Sequence, residues 1–167
     1  MGEKTSIAWT DHTFNPVWGC MKVGPGCDFC YAEVWASRFG EGMWGPDAIY
    51  REFTDKHWNE PLKWNRKAEA EGVRRRVFCA SMADVFDKRW PAHIRPRLWN
   101  LIRETPWLDW QLVTKRIGNA LDMLPEDWGN GYDNVWIVPT IVNQDEADRD
   151  MDKLFKVPAR VYGVSYE

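Results

Sequence analysis

The chain has 167 residues, of which 44% are apolar, and its formal net charge is −3. These values are typical of a globular domain with a hydrophobic core and exclude a disordered chain. They provide no overall attraction for polyanions, so nucleic-acid binding would need a local basic patch. Because no signal peptide or membrane-spanning run is present, we expect one cytoplasmic domain over residues 1–167 that does not bind membranes.

The first distinctive segment, residues 15–35, reads NPVWGCMKVGPGCDFCYAEVW. Phe14 to Trp18 is predicted to form a first strand, and the loop over residues 19–31 that follows contains Cys20, Cys27 and Cys30. In a reducing cytoplasm, such clustering indicates metal ligands rather than disulfides. A helix from Cys30 to Phe39 is predicted next, and Gly40 is a usual helix stop.

Beyond this loop, an irregular insertion at about 41–72 precedes a regular alternation of elements. Short apolar runs predict strands at residues 76–80, 110–114, 135–140 and 160–165, and apolar periodicity predicts helices at residues 94–102, 118–124 and 143–155. The last helix begins with Asn143 and Glu146, the spacing of a capping box, and is expected to bury Ala147, Met151, Leu154 and Phe155.

Apolar strands that alternate with amphipathic helices predict an α/β fold with a parallel sheet. The chain carries about five such steps, whereas a complete eight-step barrel needs about 250 residues. The fold is therefore a partial (β/α) barrel with about five parallel strands covered by helices, or else a doubly wound sheet. In either arrangement the functional face lies at the carboxyl ends of the strands, where the cysteine loop also falls.

Three clustered cysteines leave the fourth ligand of a metal centre open. A structural zinc ion needs four ligands, which His12 or Cys79 would complete, although Cys79 is better explained as a buried thiol. A four-iron cluster held by three cysteines would instead leave one iron free for another molecule. The odd number favours the cluster.

At this point the sequence resembles a family. The segment GCDFCYAE resembles the closing half of the cluster motif of radical S-adenosylmethionine enzymes, in which an aromatic residue, here Phe29, precedes the third cysteine. That motif usually places three residues between its first two cysteines, and this chain has six. The segments TSIAWTDHTFNPVWGC, FCASMADVFD, WQLVTKR and VPTIVNQDEAD together resemble a little-characterised phage and bacterial branch with the longer spacing.

The resemblance implies a partial barrel with a [4Fe-4S] cluster on Cys20, Cys27 and Cys30. S-adenosylmethionine would chelate the fourth iron, and an electron donor would drive its cleavage to a 5′-deoxyadenosyl radical that acts on an unknown substrate. A zinc-stabilised, non-enzymatic binding module is the second hypothesis. Relatives continue beyond the place where this chain ends, so a shortened member that works with a partner is the third.

Polar residues that follow the predicted strands are the candidates for holding the cofactor. They are Ser81, Asp84, Thr114, Lys115, Thr140 and Asn143. Helix capping and a solvated loop are the alternative roles, and Asn143 is expected to cap its helix in any case. Residues 57–76, HWNEPLKWNRKAEAEGVRRR, alternate tryptophans with basic residues and could contact nucleic acid, although a solvated helix is the more frequent outcome.

Overall fold

The computed structural model describes residues 2–40 and 42–166, so Met1, Glu41 and Glu167, at the limits of the predicted domain and insertion, lie outside it. Its strands are β1 His12–Phe14, β2 Val17–Trp18, β3 Arg51–Glu52, β4 Arg75–Cys79, β5 Leu108–Thr114, β6 Val135–Ile141, β7 Val161–Tyr162 and β8 Ser165–Tyr166. Its α-helices are α1 Tyr31–Ala36, α2 Asp55–Trp58, α3 Glu60–Glu71, α4 Ile94–Arg103 and α5 Gln144–Leu154. None of these helices is long and apolar enough to cross a membrane.

The main sheet is parallel and follows the order of the chain. Its strands lie in the order β1-β4-β5-β6-β7, and β8 also pairs with β6. Because β7 and β8 keep one register against β6, with Val161 opposite Trp136 and Ser165 opposite Thr140, they form one edge strand. A doubly wound sheet would reverse its strand order, so the structure confirms the partial (β/α) barrel with about five parallel strands covered by helices.

The two faces of the sheet have different surroundings. Side chains of one face, such as Val77, Trp110 and Ile137, are fully buried in the main hydrophobic cluster. The helix α4 contributes Leu98 and Ile102 to the same cluster, as its periodicity predicted. The opposite face is concave and lines cavities. The strands therefore anchor the helices on one side and leave the other available for ligands.

The first predicted strand was wrong in its extent. Phe14 ends β1, and Val17 and Trp18 form β2, which pairs antiparallel with β3 in a separate small sheet. Pro16 lies between the two strands and has no N–H to donate to a ladder. This break matters because β2, rather than the main sheet, leads directly into the cysteine loop.

Two predicted helices are shorter than expected. The helix predicted from Cys30 to Phe39 is α1 followed by a 3-10 turn at Ser37–Phe39, and Gly40 ends it with a φ of 124°. The helix predicted at residues 118–124 consists of 3-10 turns at Ile117–Asn119 and Leu121–Met123. A glycine at its start and Pro125 just beyond its end limit the segment to such turns.

The predicted irregular insertion at about 41–72 contains β3, α2 and all of α3. Pro61 lies in the first turn of α3, and Gly72 ends that helix in the left-handed conformation with a φ of 65°. Trp58 and Trp64 are buried in the core, and the Trp64 ring stacks on His12 with centroids 4.6 Å apart. These two rings are therefore not available to stack on nucleic-acid bases.

Helix α5 begins as predicted. Asn143 is its N-cap and accepts a hydrogen bond from the Glu146 backbone N–H at 2.8 Å, while the Glu146 carboxylate accepts one from the Val142 N–H at 3.1 Å. The predicted burial of Phe155 is wrong, because this residue follows the end of the helix and is 63% exposed. The predicted burial of Leu154 is confirmed, and Ala147 and Met151 are half-buried.

Replacing Asn143 by alanine should lower the free energy of unfolding by about 1 kcal/mol, because one N–H at the start of α5 loses its acceptor. Urea denaturation would measure the change. Asn130→Ala, at an exposed turn position, is the matched control and should change stability by less than about 0.5 kcal/mol. Equal losses in both variants would contradict the capping role.

Candidate cofactor site

One cavity at the carboxyl edge of the sheet is lined by all three clustered cysteines. Cys20 and Cys27 are buried, Cys30 is half-buried, and all three are free thiols. The cavity floor comes from the ends of β4, β5 and β6, which contribute Ala80, Thr114 and other residues. The structure therefore places the cysteine loop at the carboxyl ends of the parallel strands, as predicted.

The cysteine loop lies close against the ends of the strands because it contains glycine. A Cβ atom on Gly26 would lie 3.3 Å from Lys115 Cε and 3.4 Å from Val142 Cγ1. On Gly24 it would lie 3.5 Å from an oxygen of Glu146. The separation at Gly26 is tighter than most Cβ contacts, so a side chain there would press on Lys115, whereas the separation at Gly24 is an ordinary van der Waals contact.

The backbone on both sides of Cys20 is fixed. The Cys20 N–H donates to the Met43 carbonyl at 3.2 Å, and the Gly45 N–H donates to the Cys20 carbonyl at 3.0 Å. Cys27 lies in the 3-10 turn Pro25–Cys27, and Cys30 is the residue before α1. The first cysteine is thus anchored to the segment around Met43, whereas the other two belong to a separate turn-and-helix unit.

The three thiols suit a metal cluster in their chemistry and location, but they do not form a ready-made site. In the described part of the chain, no three His, Cys, Asp or Glu side chains lie close enough together to hold a metal ion. The cavity nevertheless supplies three sulfur donors and, near them, Thr140. The Thr140 Oγ1 is buried and has no hydrogen-bond partner among the described residues, as expected of a group that meets a ligand.

The two alternative fourth ligands lie elsewhere. His12 is in β1, where its ring stacks on Trp64 and its Nδ1 bonds the Glu3 carbonyl oxygen. Cys79 is completely buried in the hydrophobic core, and burial raises the pKa of its thiol. Neither residue lines the cavity of the three cysteines. The structure therefore places neither of the two proposed fourth zinc ligands at this site.

Ser81 lies in the cavity wall, where neighbours hold it in place. It directly follows Ala80, whose φ of 63° turns the chain sharply at the end of β4. The Asn15 amide donates to Ser81 Oγ at 2.9 Å and accepts from the Met82 N–H at 2.7 Å. The Tyr31 hydroxyl donates to the Ser81 carbonyl at 2.9 Å. Asn15 and Tyr31 were not predicted, and they link β1, the cysteine loop and the end of β4.

Asp84 and Thr114 also line the cavity, but they bond mainly to each other and to the backbone. The Thr114 hydroxyl donates to one Asp84 oxygen at 2.8 Å, and the Lys115 N–H donates to the other at 2.9 Å. Both side chains are almost fully buried. The structure thus supports a positioning role for these two predicted site residues, which tie the turn after β4 to the end of β5.

Arg116 is the centre of this network. Its guanidinium lies 3.3 Å from Asp84 and 3.4 Å from Asp87, and all three side chains are at most 6% exposed. It also donates to Cys20 Sγ at 3.4 Å and to the Met21 carbonyl at 2.7 Å. The charge of Arg116 is therefore neutralised by two carboxylates of the protein.

The network changes the pKa values of its members. Burial alone would lower the pKa of Arg116, but the charges of Asp84, Cys20 and Asp87 raise it overall. Burial raises the pKa of Cys20 to about 11, although Arg116 acts to lower it. The thiol therefore carries its proton at neutral pH and must release it when a metal binds.

The remaining predicted residues are divided between the cavity and the protein surface. Lys115 and Thr140 line the cavity with the cysteines. Asn143 does not line it, and its side chain caps α5. Five of the six predicted cofactor residues are therefore brought to one place, and of these only Thr140 has a buried polar atom that lacks a partner within the described residues.

Comparisons with known proteins agree with this fold. A family model described as "Protein of unknown function (DUF5131)" matches residues 4–167. None of the curated proteins matches the chain. A solved structure of a double mutant of spore photoproduct lyase, with bound AdoMet and dinucleoside spore photoproduct, is similar with a TM-score of 0.64 and 14% sequence identity. The match covers 96% of this chain and 46% of that protein, so the chain spans about half its length, and the likeness is one of fold.

Replacing Arg116 by glutamine should lower the free energy of unfolding by about 3–5 kcal/mol, because two buried carboxylates lose their counter-charge. Urea denaturation of the metal-free protein at pH 7 would measure this change. Arg160→Gln, which breaks an exposed pair with Asp133, is the control and should cost less than about 1 kcal/mol. If both variants were equally stable, Arg116 would not be the centre of the network.

Proposed function

This chain belongs to the DUF5131 family, and we propose that it is a radical S-adenosylmethionine-type iron-sulfur protein that acts on a substrate by hydrogen abstraction. The observation that carries the proposal is the common cavity of Cys20, Cys27 and Cys30 at the carboxyl edge of a partial barrel. Three thiols, with neither His12 nor Cys79 in their cavity, suit a four-iron cluster with one open iron. The fold shared with a protein whose structure contains AdoMet supports the same proposal.

The cluster would be held by Cys20, Cys27 and Cys30, and S-adenosylmethionine by groups of the same cavity. Thr140 offers an unpaired hydroxyl within the described residues, and Ser81 and Lys115 lie in the cavity wall. When bound, the reduced cluster supplies the electron that cleaves the sulfonium to methionine and a 5′-deoxyadenosyl radical. The Arg116 network would position the Cys20 sulfur and keep water from one side of the site.

This function needs a one-electron donor and a reducing compartment. We therefore propose that the protein works in the cytoplasm, where all four of its cysteines would remain the free thiols that the structure contains. The phage or bacterial origin implied by the sequence resemblance stays a prediction. A zinc-stabilised binding module is the competing function, and a test of metal content separates the two.

Anaerobic reconstitution with iron and sulfide should incorporate about four iron and four sulfide per chain. Electron paramagnetic resonance of the reduced protein should then give a four-iron signal that changes when S-adenosylmethionine is added. Changing Cys20, Cys27 or Cys30 to alanine should each prevent incorporation, because each removes one of three ligands.

Cys79→Ala is the matched control for these variants. It removes a thiol of the core that does not line the cavity, so iron uptake should stay as in the unaltered protein. Stoichiometric zinc binding without iron uptake would overturn the proposal in favour of the zinc module. If the electron paramagnetic resonance signal of the cluster did not change when S-adenosylmethionine was added, the assignment of the cofactor would be overturned.

A further inference from the structure

A second cavity lies in the concave face of the sheet, directly below the cysteine cavity. Its volume is about 340 Å³, and Val113 lines both cavities, so the two adjoin. The described residues that line it are Trp9, Gln111, Val113, Trp136, Val138, Gly163, Val164, Ser165 and Tyr166. This size and the mainly apolar lining are those of a small-molecule site.

Gln111 is the residue of this cavity that needs a ligand. It is only 5% exposed, and its Oε1 is buried without a hydrogen-bond partner among the described residues. A buried carbonyl oxygen without a donor is unfavourable, and such groups are rare in native proteins. Because Oε1 is an acceptor only, the missing partner is a group with an N–H or O–H donor.

Aromatic rings lie on both sides of Gln111. In the register of the sheet, Phe78 is its neighbour on β4 and Trp136 its neighbour on β6. Trp9 packs on Phe78 with ring centroids 4.8 Å apart and also lines the cavity. Flat indole faces around a single amide acceptor suit a flat ligand that stacks and donates one hydrogen bond.

The lack of charged side chains among the described lining residues limits the chemical class of the ligand. None of the described residues that line this cavity is charged, so a phosphate or carboxylate would find no counter-charge there. The ligand part that enters the cavity is therefore neutral, planar and equipped with an N–H or O–H donor. Nucleobases have these properties, since they combine a stacking face with N–H groups on their edge.

We propose that the concave cavity binds a nucleobase, with Gln111 Oε1 accepting a base N–H and with Trp9 and Trp136 providing stacking faces. The base belongs either to a free nucleoside or to a nucleotide that leaves the stack of a nucleic acid. As the substrate of the radical chemistry, it would lie next to the cofactor cavity across Val113, and this role rests on the proposed function. The binding itself does not depend on it.

The test is calorimetric titration of the metal-free protein with adenosine, guanosine, cytidine, uridine and thymidine, and with short single-stranded DNA and RNA. At least one nucleoside should bind, and the same nucleoside methylated on its donor nitrogen should bind about tenfold more weakly or worse. Oligonucleotide binding tighter than that of the nucleoside would identify a base within nucleic acid as the source. Equal or weaker oligonucleotide binding would identify the free nucleoside.

Gln111→Leu is the decisive variant. It replaces a buried amide, whose Oε1 has no partner within the described residues, by an apolar side chain of similar size, so its melting temperature should be equal to or higher than that of the unaltered protein. Its nucleoside affinity should fall about tenfold or more. Gln144→Leu, the same change at an exposed position of α5, should leave the affinity unchanged.

Two results would overturn the proposal: no measurable binding of any nucleoside or oligonucleotide, or undiminished binding by Gln111→Leu. The iron reconstitution described above is independent of this titration. A protein that assembles the cluster and responds to S-adenosylmethionine but binds no base would refute the base site alone. A protein that binds a base through Gln111 but takes up no iron would refute the iron-sulfur function alone.

Discussion

The buried charge of Arg116 is the constraint on which the geometry of the cofactor site depends. One guanidinium satisfies Asp84 and Asp87 after β4 and contacts the sulfur of Cys20 and the carbonyl of Met21 in the cysteine loop. Such a charge is tolerated inside a protein only while its partners stay in place. Displacing Asp84 or Asp87 would therefore leave a charge unpaired, and Cys20, a proposed cluster ligand, is held by the same network.

The two faces of the sheet differ in the side chains that they carry. Side chains of one face, such as Trp110, are fully buried in the hydrophobic core, to which α4 also contributes. The concave face carries residues that a purely structural sheet would not need, such as Gln111, whose Oε1 has no partner within the described part of the chain. Because successive residues of a strand point to opposite faces, each strand supplies both functions at once. Stability and the proposed ligand binding thus depend on alternate positions of the same strands.

The sequence predicted the features that local patterns determine. The apolar runs located the parallel strands, the spacing of Asn143 and Glu146 located the start of α5, and the polar residues after the strands were brought to the predicted edge. The roles of Asp84 and Thr114 could not be predicted, because they depend on contacts with Arg116 and with each other across two strands. The hydrogen bonding of Gln111 could not be predicted either, because an apolar run does not reveal which of its residues face an open cavity.

The separation of the three thiols follows from how the loop is built. Cys20 is fixed by backbone bonds to Met43 and Gly45 and by the contact of its sulfur with Arg116. Cys27 and Cys30 belong to one compact unit, a 3-10 turn that leads into α1. Residues 21–24 connect these two parts, and Arg116 also holds the Met21 carbonyl. The proposed cluster ligands therefore have two different supports: Cys20 depends on the charged network of Arg116, whereas the unit of Cys27 and Cys30 depends on the close approach of Gly26 to the Lys115 side chain.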